Sequence, residues 1–290
     1  MKRPRDAVQW TLVGLAVLAL AAVVLLPLAV VLTSALQDGL TVWRDAVMHP
    51  QARAALRLTL LATAIAVPLN AVFGLAAALL IVHHKPRGRH LLVALIDLPF
   101  TVSPVVAGLM LVLILGARAP LGAWLIEHGT PVIFATPGIV LATVFVTFPF
   151  VARELMPLLA ARGTDEEVAA VSLGARGGAV LRRVTVPGIR WGLVYGLILC
   201  TARAVGEFGA VSVVSGHIRG RTNTLPLHIE VLFNEYHTTA AFAVASLLAL
   251  LAVVTLLVKE AVGRRATPKP AAALEAPVSP TVFGTTGEVP

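Results

Sequence analysis

The sequence predicts an all-α transmembrane protein: a polytopic bundle of six helices with one short helix held at its cytoplasmic surface. Three observations carry that prediction. Hydrophobic residues fill 58% of the 290 positions and charged residues only 13%, with a mean hydropathy of +0.88; that balance belongs to membrane proteins. Six apolar segments, at about 11–33, 55–81, 91–115, 133–153, 189–214 and 240–261, are each long enough to cross roughly 30 Å of hydrocarbon as a helix. Basic residues are also shared unequally between the two sides. Lys2, Arg3, Arg5, Lys85, Arg87, Arg89, Arg153, Arg162, Arg176, Arg182, Arg183, Arg190, Lys259, Arg264, Arg265 and Lys269 share one side, against Arg44, Arg53, Arg118, Arg219 and Arg221 on the other. This positive-inside bias places both termini in the cytoplasm.

Residues 1–10 form a basic cytoplasmic N-terminus. The first span follows without a convincing small-x-small cleavage site, so it reads as a retained signal anchor with Trp10 near the interface. Pro27, Pro68, Pro99, Pro104 and Pro149 fall in or near the spans and predict kinks, which neighbouring helices can tolerate in a membrane. Asn70 and Gly74 in the second span and Gly108 in the third belong on helix contacts rather than on lipid faces. The external interval 116–132 allows a short surface helix around Trp124. The longer, more polar interval from Ser215 to Thr239 stays outside.

The longest polar interval, at about 153–190, lies between the fourth and fifth spans. Thr164 followed by Glu167 is a capping-box pattern that starts a short helix. Val168, Ala169, Ala170, Val171 and Leu173 give that helix a compact apolar surface, and Gly174 permits a turn. Pro187 opens the next span. A helix of this shape suits docking to another protein, and it equally suits a plain interfacial link between two spans. From about residue 263 to 290 the chain is rich in proline, alanine and threonine and poor in large apolar groups, the composition of a disordered tail.

Enzymatic and cofactor motifs are missing. There is no phosphate-binding GxxxxGK[ST] loop, no HExxH and no cysteine pair, Cys200 being the single cysteine. His83 and His84 beside Lys85 read as a basic membrane edge rather than a metal site. The net charge of +8 flanks apolar segments instead of forming a face, so nucleic acid is not an expected partner. Charged residues inside spans are costly and mark function or helix pairing. They are Asp97 in the third span and Arg203 and Glu207 in the fifth. The last two are four apart, on one helical face, where they line a route, hold a gate or pair structurally. Beyond them Arg219, Arg221, Thr222, Asn223 and Thr224 gather donors at the outer mouth. An anion, a docking protein or solvent alone would each satisfy that group.

The residues Ala169, Ala170, Gly174 and Pro187 stand where the EAA loop of ABC-importer permeases has them, and the stretch VGEFGAVSVVSGHIRGRTNTLPLHIEVLFNEY resembles the sulfate/thiosulfate branch of that family, the CysW type. The resemblance covers about residues 10–262. It implies the type I importer permease fold and a unit at 11–262 in a bacterial cytoplasmic (inner) membrane. It further implies a homologous CysT-type permease partner, two copies of a CysA-type ATP-binding subunit, and a periplasmic or surface sulfate/thiosulfate-binding protein. ATP and Mg2+ would be used by the partner ATPase, with no cofactor on this chain and no catalysis by it. Coupling to the ATPase would fall to Thr164, Glu167, Ala169, Ala170, Leu173, Gly174 and Pro187. The family's EAA glutamate falls at Val168 here, with Glu167 one position early and about 100° around a helix. A molybdate/tungstate importer and an ion-gradient-driven secondary anion transporter are the alternatives.

Overall fold

The computed structural model describes residues 5–266. Its helices are α1 (Arg5–Leu36), α2 (Leu40–Met48), α3 (Pro50–Leu79, continued by a π-helical turn Leu80–His84), α4 (Arg89–Thr101), α5 (Pro104–Leu115), α6 (Pro120–Glu127) and α7 (Thr136–Arg162). After these come α8 (Asp165–Ser172), α9 (Gly177–Val180, continued by a π-helical turn Leu181–Thr185), α10 (Val186–Val205), α11 (Gly209–Ser215), α12 (Leu225–Asn234) and α13 (Thr238–Ala266). Among the described residues, five helices are long and apolar enough to cross a membrane, or six when α4 and α5 count as one broken span.

The centre of the bundle is α3 against α7, with α10 packed on both. Small residues set that spacing. A Cβ at Gly74 would lie 2.8 Å from Cβ of Val151, and one at Gly196 would lie 3.3 Å from Cβ of Glu154. Such close backbone approach is how helices gain packing energy where lipid supplies no hydrophobic drive. Polar bonds add to it: Asn70, fully buried, donates to the Thr147 hydroxyl at 2.7 Å and to Sγ of Cys200 at 3.5 Å. Outside the centre, α1 packs on α13 and touches α2, leaving most of its apolar side chains uncovered. Trp43 of α2 donates to the Ser246 hydroxyl at 2.9 Å and pins α2 to α13.

Two expected spans are broken. The third, read as continuous over 91–115, turns by 107° between α4 and α5. Ser103 precedes Pro104, and proline drives the residue before it out of the helical region; Ser103 sits at φ −56°, ψ 135°. The fifth, read as 189–214, starts earlier through α9 and its π-turn, ends at Val205 and resumes as α11 after Gly206–Phe208. The breaks meet. A Cβ at Gly209 would lie 2.9 Å from Cβ of Pro104, and one at Gly108 would lie 2.6 Å from the Ala210 carbonyl oxygen.

The short helix α6 carries Trp124 as expected, while the interval from Ser215 to Thr239 contains α12, folded back against α3 and α13 with Leu225, Leu227 and His228 buried. At the ends, α1 already begins within the segment read as an N-terminal extension, and α13 runs through Ala266, past the boundary at 263. Residues 267–290, where most of the tail falls, lie outside the described residues.

Candidate functional site

The first site is built on α8. Thr164 stands at its N-cap, and the carbonyl of Thr164 accepts from Val168 N–H at 2.9 Å. Asp165, Glu166 and Glu167 fill the first turn, where negative charge suits the helix dipole. The other end closes in a Schellman motif: Ala175 N–H donates to the Ala170 carbonyl at 3.0 Å and Gly174 N–H to that of Val171 at 2.8 Å. Gly174 sits at φ +86°, a left-handed conformation that favours glycine. No residue of α8 is buried. Val168 and Val171 are more than half exposed, Leu173 is 90% exposed, Ala169 is exposed and Ala170 half-buried, so most of the apolar surface is uncovered within the described residues. Pro187, exposed, occupies the first turn of α10.

The capping box itself does not form. The Thr164 hydroxyl makes no cap hydrogen bond, and the Glu167 carboxylate is drawn inward. Its Oε1 accepts from the Thr185 hydroxyl at 2.6 Å, and its Oε2 lies 3.5 Å from Nδ1 of His83. Arg162 adds a second tie. It pairs with Glu166, donates to the Thr185 carbonyl at 3.3 Å, and rests its guanidinium against Gly188, where an added Cβ would push it aside. Through these contacts α8 is fastened to the end of α3 and the start of α10. Between them lies a cleft of about 600 Å³ lined by His83, His84, Glu167, Val168, Val171 and Leu181 among others.

The membrane-embedded charges occur in pairs. Arg203 contacts Glu207 at 2.6 Å, its side chain 32% exposed against 1% for the glutamate. Glu207 is not on one helical face with Arg203, as the spacing suggests: α10 ends at Val205, and Glu207 lies in the break. From there its Oε1 also accepts from Ala210 N–H at 2.9 Å in the first turn of α11. Asp97 accepts from Nε of Arg153 at 2.5 Å. Arg153 had the place of a loop residue in the sequence, yet α7 continues to Arg162 and encloses it together with Glu154. The apolar run LMPLLAA after Glu154 is the signal that the span goes on. Asp97 thus lies on the helix that ends at the first break and Glu207 within the second, and among the described residues none of their hydrogen bonds or ion pairs reaches α8.

The group from Arg219 to Thr224 is only partly a solvent-facing cluster. Arg221 is exposed and Arg219 is paired with Glu235. That hydrogen bond holds the Glu235 carboxyl below its usual value. Thr222, Asn223 and Thr224 are instead buried, because the chain from Ile218 winds tightly. The Ile218 carbonyl accepts from Arg221, Thr222 and Asn223 N–H, and Leu225 N–H reaches Oγ1 of Thr59 at 2.8 Å. Asn223 therefore faces the protein, not solvent. Burial, then His49 and Arg219, push His228 below its ordinary 6.5, against a smaller opposite effect from Glu235. Among the described residues no three histidines, cysteines or carboxylates group as a metal site.

The family profile described as binding-protein-dependent transport system inner membrane component matches residues 70–268. The sulfate transport system permease protein CysW of Escherichia coli is 48% identical over 257 residues, 89% of this chain and 88% of that protein. The sulfate transport system permease protein CysT of Salmonella typhimurium is 36% identical over 235 residues, covering 81% and 85%. A bacterial alginate ABC transporter, solved in complex with an alginate pentasaccharide-bound periplasmic protein, has a chain with the same fold at a TM-score of 0.73 and 15% identity, over 90% of this chain and 95% of that one. With its several apolar spans, and with transport rather than catalysis as the family's work, this chain belongs to the inner-membrane permease components of binding-protein-dependent transport systems.

Proposed function

We propose that this chain is the permease subunit of an ATP-driven importer that carries sulfate or thiosulfate into the cytoplasm. The observation that carries the reading is α8: a short helix with an uncovered apolar face, tied by Glu167 and Arg162 to the ends of two spans. Sulfate comes from the resemblance to the sulfate permeases. In this reading a CysT-type permease completes the membrane domain, and two ATP-binding subunits attach below, using ATP and Mg2+. A solute-binding protein delivers the anion from outside, meeting Arg219 and Arg221, and both termini lie in the cytoplasm. The permease unit covers 11–262, with coupling through 153–190.

The coupling is a matter of differential stability. Closure of the ATPase pair favours one position of α8, and its ties to α3 and α10 pass that preference into the bundle. The apolar face formed by Val168, Ala169, Ala170, Val171 and Leu173 seats in the ATPase, while Glu167 is kept within the chain. A carboxylate at 167 and an apolar residue at 168 are consistent with that division of labour.

The test is radiolabelled sulfate uptake into proteoliposomes holding this chain, its partner permease and its ATPase, with binding protein outside and ATP inside. ATP-dependent uptake that vanishes when this chain is omitted is the expected result. Uptake of molybdate but not sulfate, with the matching binding protein, would move the substrate and keep the mechanism. Uptake without ATP would overturn the importer.

A further inference from the structure

Arg153 is an arginine within a membrane-crossing helix, and about 13 Å of helix separate it from the end of α7 at Arg162. Asp97 holds only one edge of it, through Nε. No hydrogen bond or ion pair of its two terminal nitrogens occurs among the described residues, and its side chain is 54% exposed against 21% for Asp97. A guanidinium inside a span does not face lipid; it faces a bundle interior or a water-filled passage. Its surroundings point the same way. Asp97 lies on α4 one turn before the 107° break, and irregular backbone at membrane depth is tolerated where it is buried in protein or lines a cavity. The breaks of the third and fifth spans meet at Pro104 and Gly209, and the second carries its own arginine pair, Arg203 with Glu207.

We infer that Arg153 contacts the transported tetrahedral oxyanion directly, through the free terminal edge of its guanidinium, on the inner half of the route. The inference rests on the oxyanion-importer reading. A forked donor matches two oxygens of such an anion. Asp97 is part of the design: a fully compensated arginine would not attract the anion, and a bare one would hold it. Conduction requires a contact weak enough to leave. A half-compensated arginine meets both needs. A permanent carboxylate from a partner subunit on the same edge would give the site lasting net negative charge within the membrane, so a transient anion fits better.

The experiment uses the complete reconstituted importer with binding protein, carrying Arg153→Lys, Arg153→Gln, or Arg153→Gln together with Asp97→Asn. Sulfate uptake and co-purification of the subunits are read together. Arg153→Gln is expected to lower uptake about tenfold, the loss of a charge-assisted contact, with the complex intact. Arg153→Lys keeps the charge and loses the fork, and is expected to lower uptake several-fold. The decisive variant is the double one. If Arg153 only neutralises Asp97, removing both charges restores uptake to near the wild-type level and overturns the inference; if it meets the anion, the double variant stays as low as Arg153→Gln. Wild-type uptake in Arg153→Lys, or a permease pair that separates in Arg153→Gln, also overturns it. Failure of the wild-type importer to move any oxyanion would be seen before a variant is made, and would sink the functional reading beneath.

Discussion

Glu207 shows how burial decides what an ion pair is for. Its side chain is 1% exposed and supports both Arg203 and the first turn of α11. Removing the arginine leaves an uncompensated buried carboxylate, which costs about 3–5 kcal/mol. Arg203→Ala is therefore expected to reduce the yield of folded protein and the unfolding temperature in detergent along with transport. Arg203→Met combined with Glu207→Gln is expected to recover most of the stability, since glutamine still accepts from Ala210; a double variant as unstable as Arg203→Ala would argue against this account. Glu167 makes the opposite case, a charge near the surface used for positioning. Glu167→Gln weakens the link to Thr185 and His83 by about 1 kcal/mol. It is expected to lower ATP-driven uptake several-fold while leaving attachment of the ATPase unchanged. Loss of attachment in a pull-down would show that Glu167 reaches the ATPase after all.

At the scale of elements, α8 depends on its last turn. A Cβ at Gly174 meets nothing within 4 Å, so the cost of replacing it is conformational, about 1 kcal/mol for a non-glycine residue at φ +86°. Gly174→Ala is expected to weaken ATPase retention modestly, and Gly174→Leu more, because the added bulk enters the docking side; both are expected to insert normally. Equal retention by Gly174→Leu and wild type would remove α8 from the docking role. The start and end of this helix were legible in the sequence, since an N-cap threonine, three acids and a turn glycine are local signals. Where Glu167 points was not, because Thr185 and His83 approach only through the fold. The spans divide in the same way. Hydropathy located them, and Gly74 and Gly108 announced their close contacts. The Ser103–Pro104 pair held a break that an average over apolar residues hides. Arg153 was assigned to a loop because charge ended the hydropathy window before the helix ended. Asn223 looked like a solvated donor for the converse reason, its burial being set by contacts between α12, α3 and α13.

For the molecule as a whole, the region around α12 is where acid should be felt. His228 has a folded pKa below its ordinary 6.5, so the folded state binds fewer protons than the unfolded one. Its contribution to stability is present above that value and is lost as pH falls from it towards the lower folded pKa. The unfolding temperature of the solubilised protein is expected to drop between pH 7 and 5, and His228→Asn is expected to flatten the drop; an unchanged slope would place the acid sensitivity elsewhere. The junction where Gly209 rests on Pro104 and Gly108 on Ala210 has a different consequence. The nearest side-chain atoms at this contact belong to Pro104, Val105 and Val213, and a Cβ added at Gly108 or Gly209 would force α5 and α11 apart. The two helix breaks are thereby packed on each other, and a shift of either broken span is expected to carry the other with it.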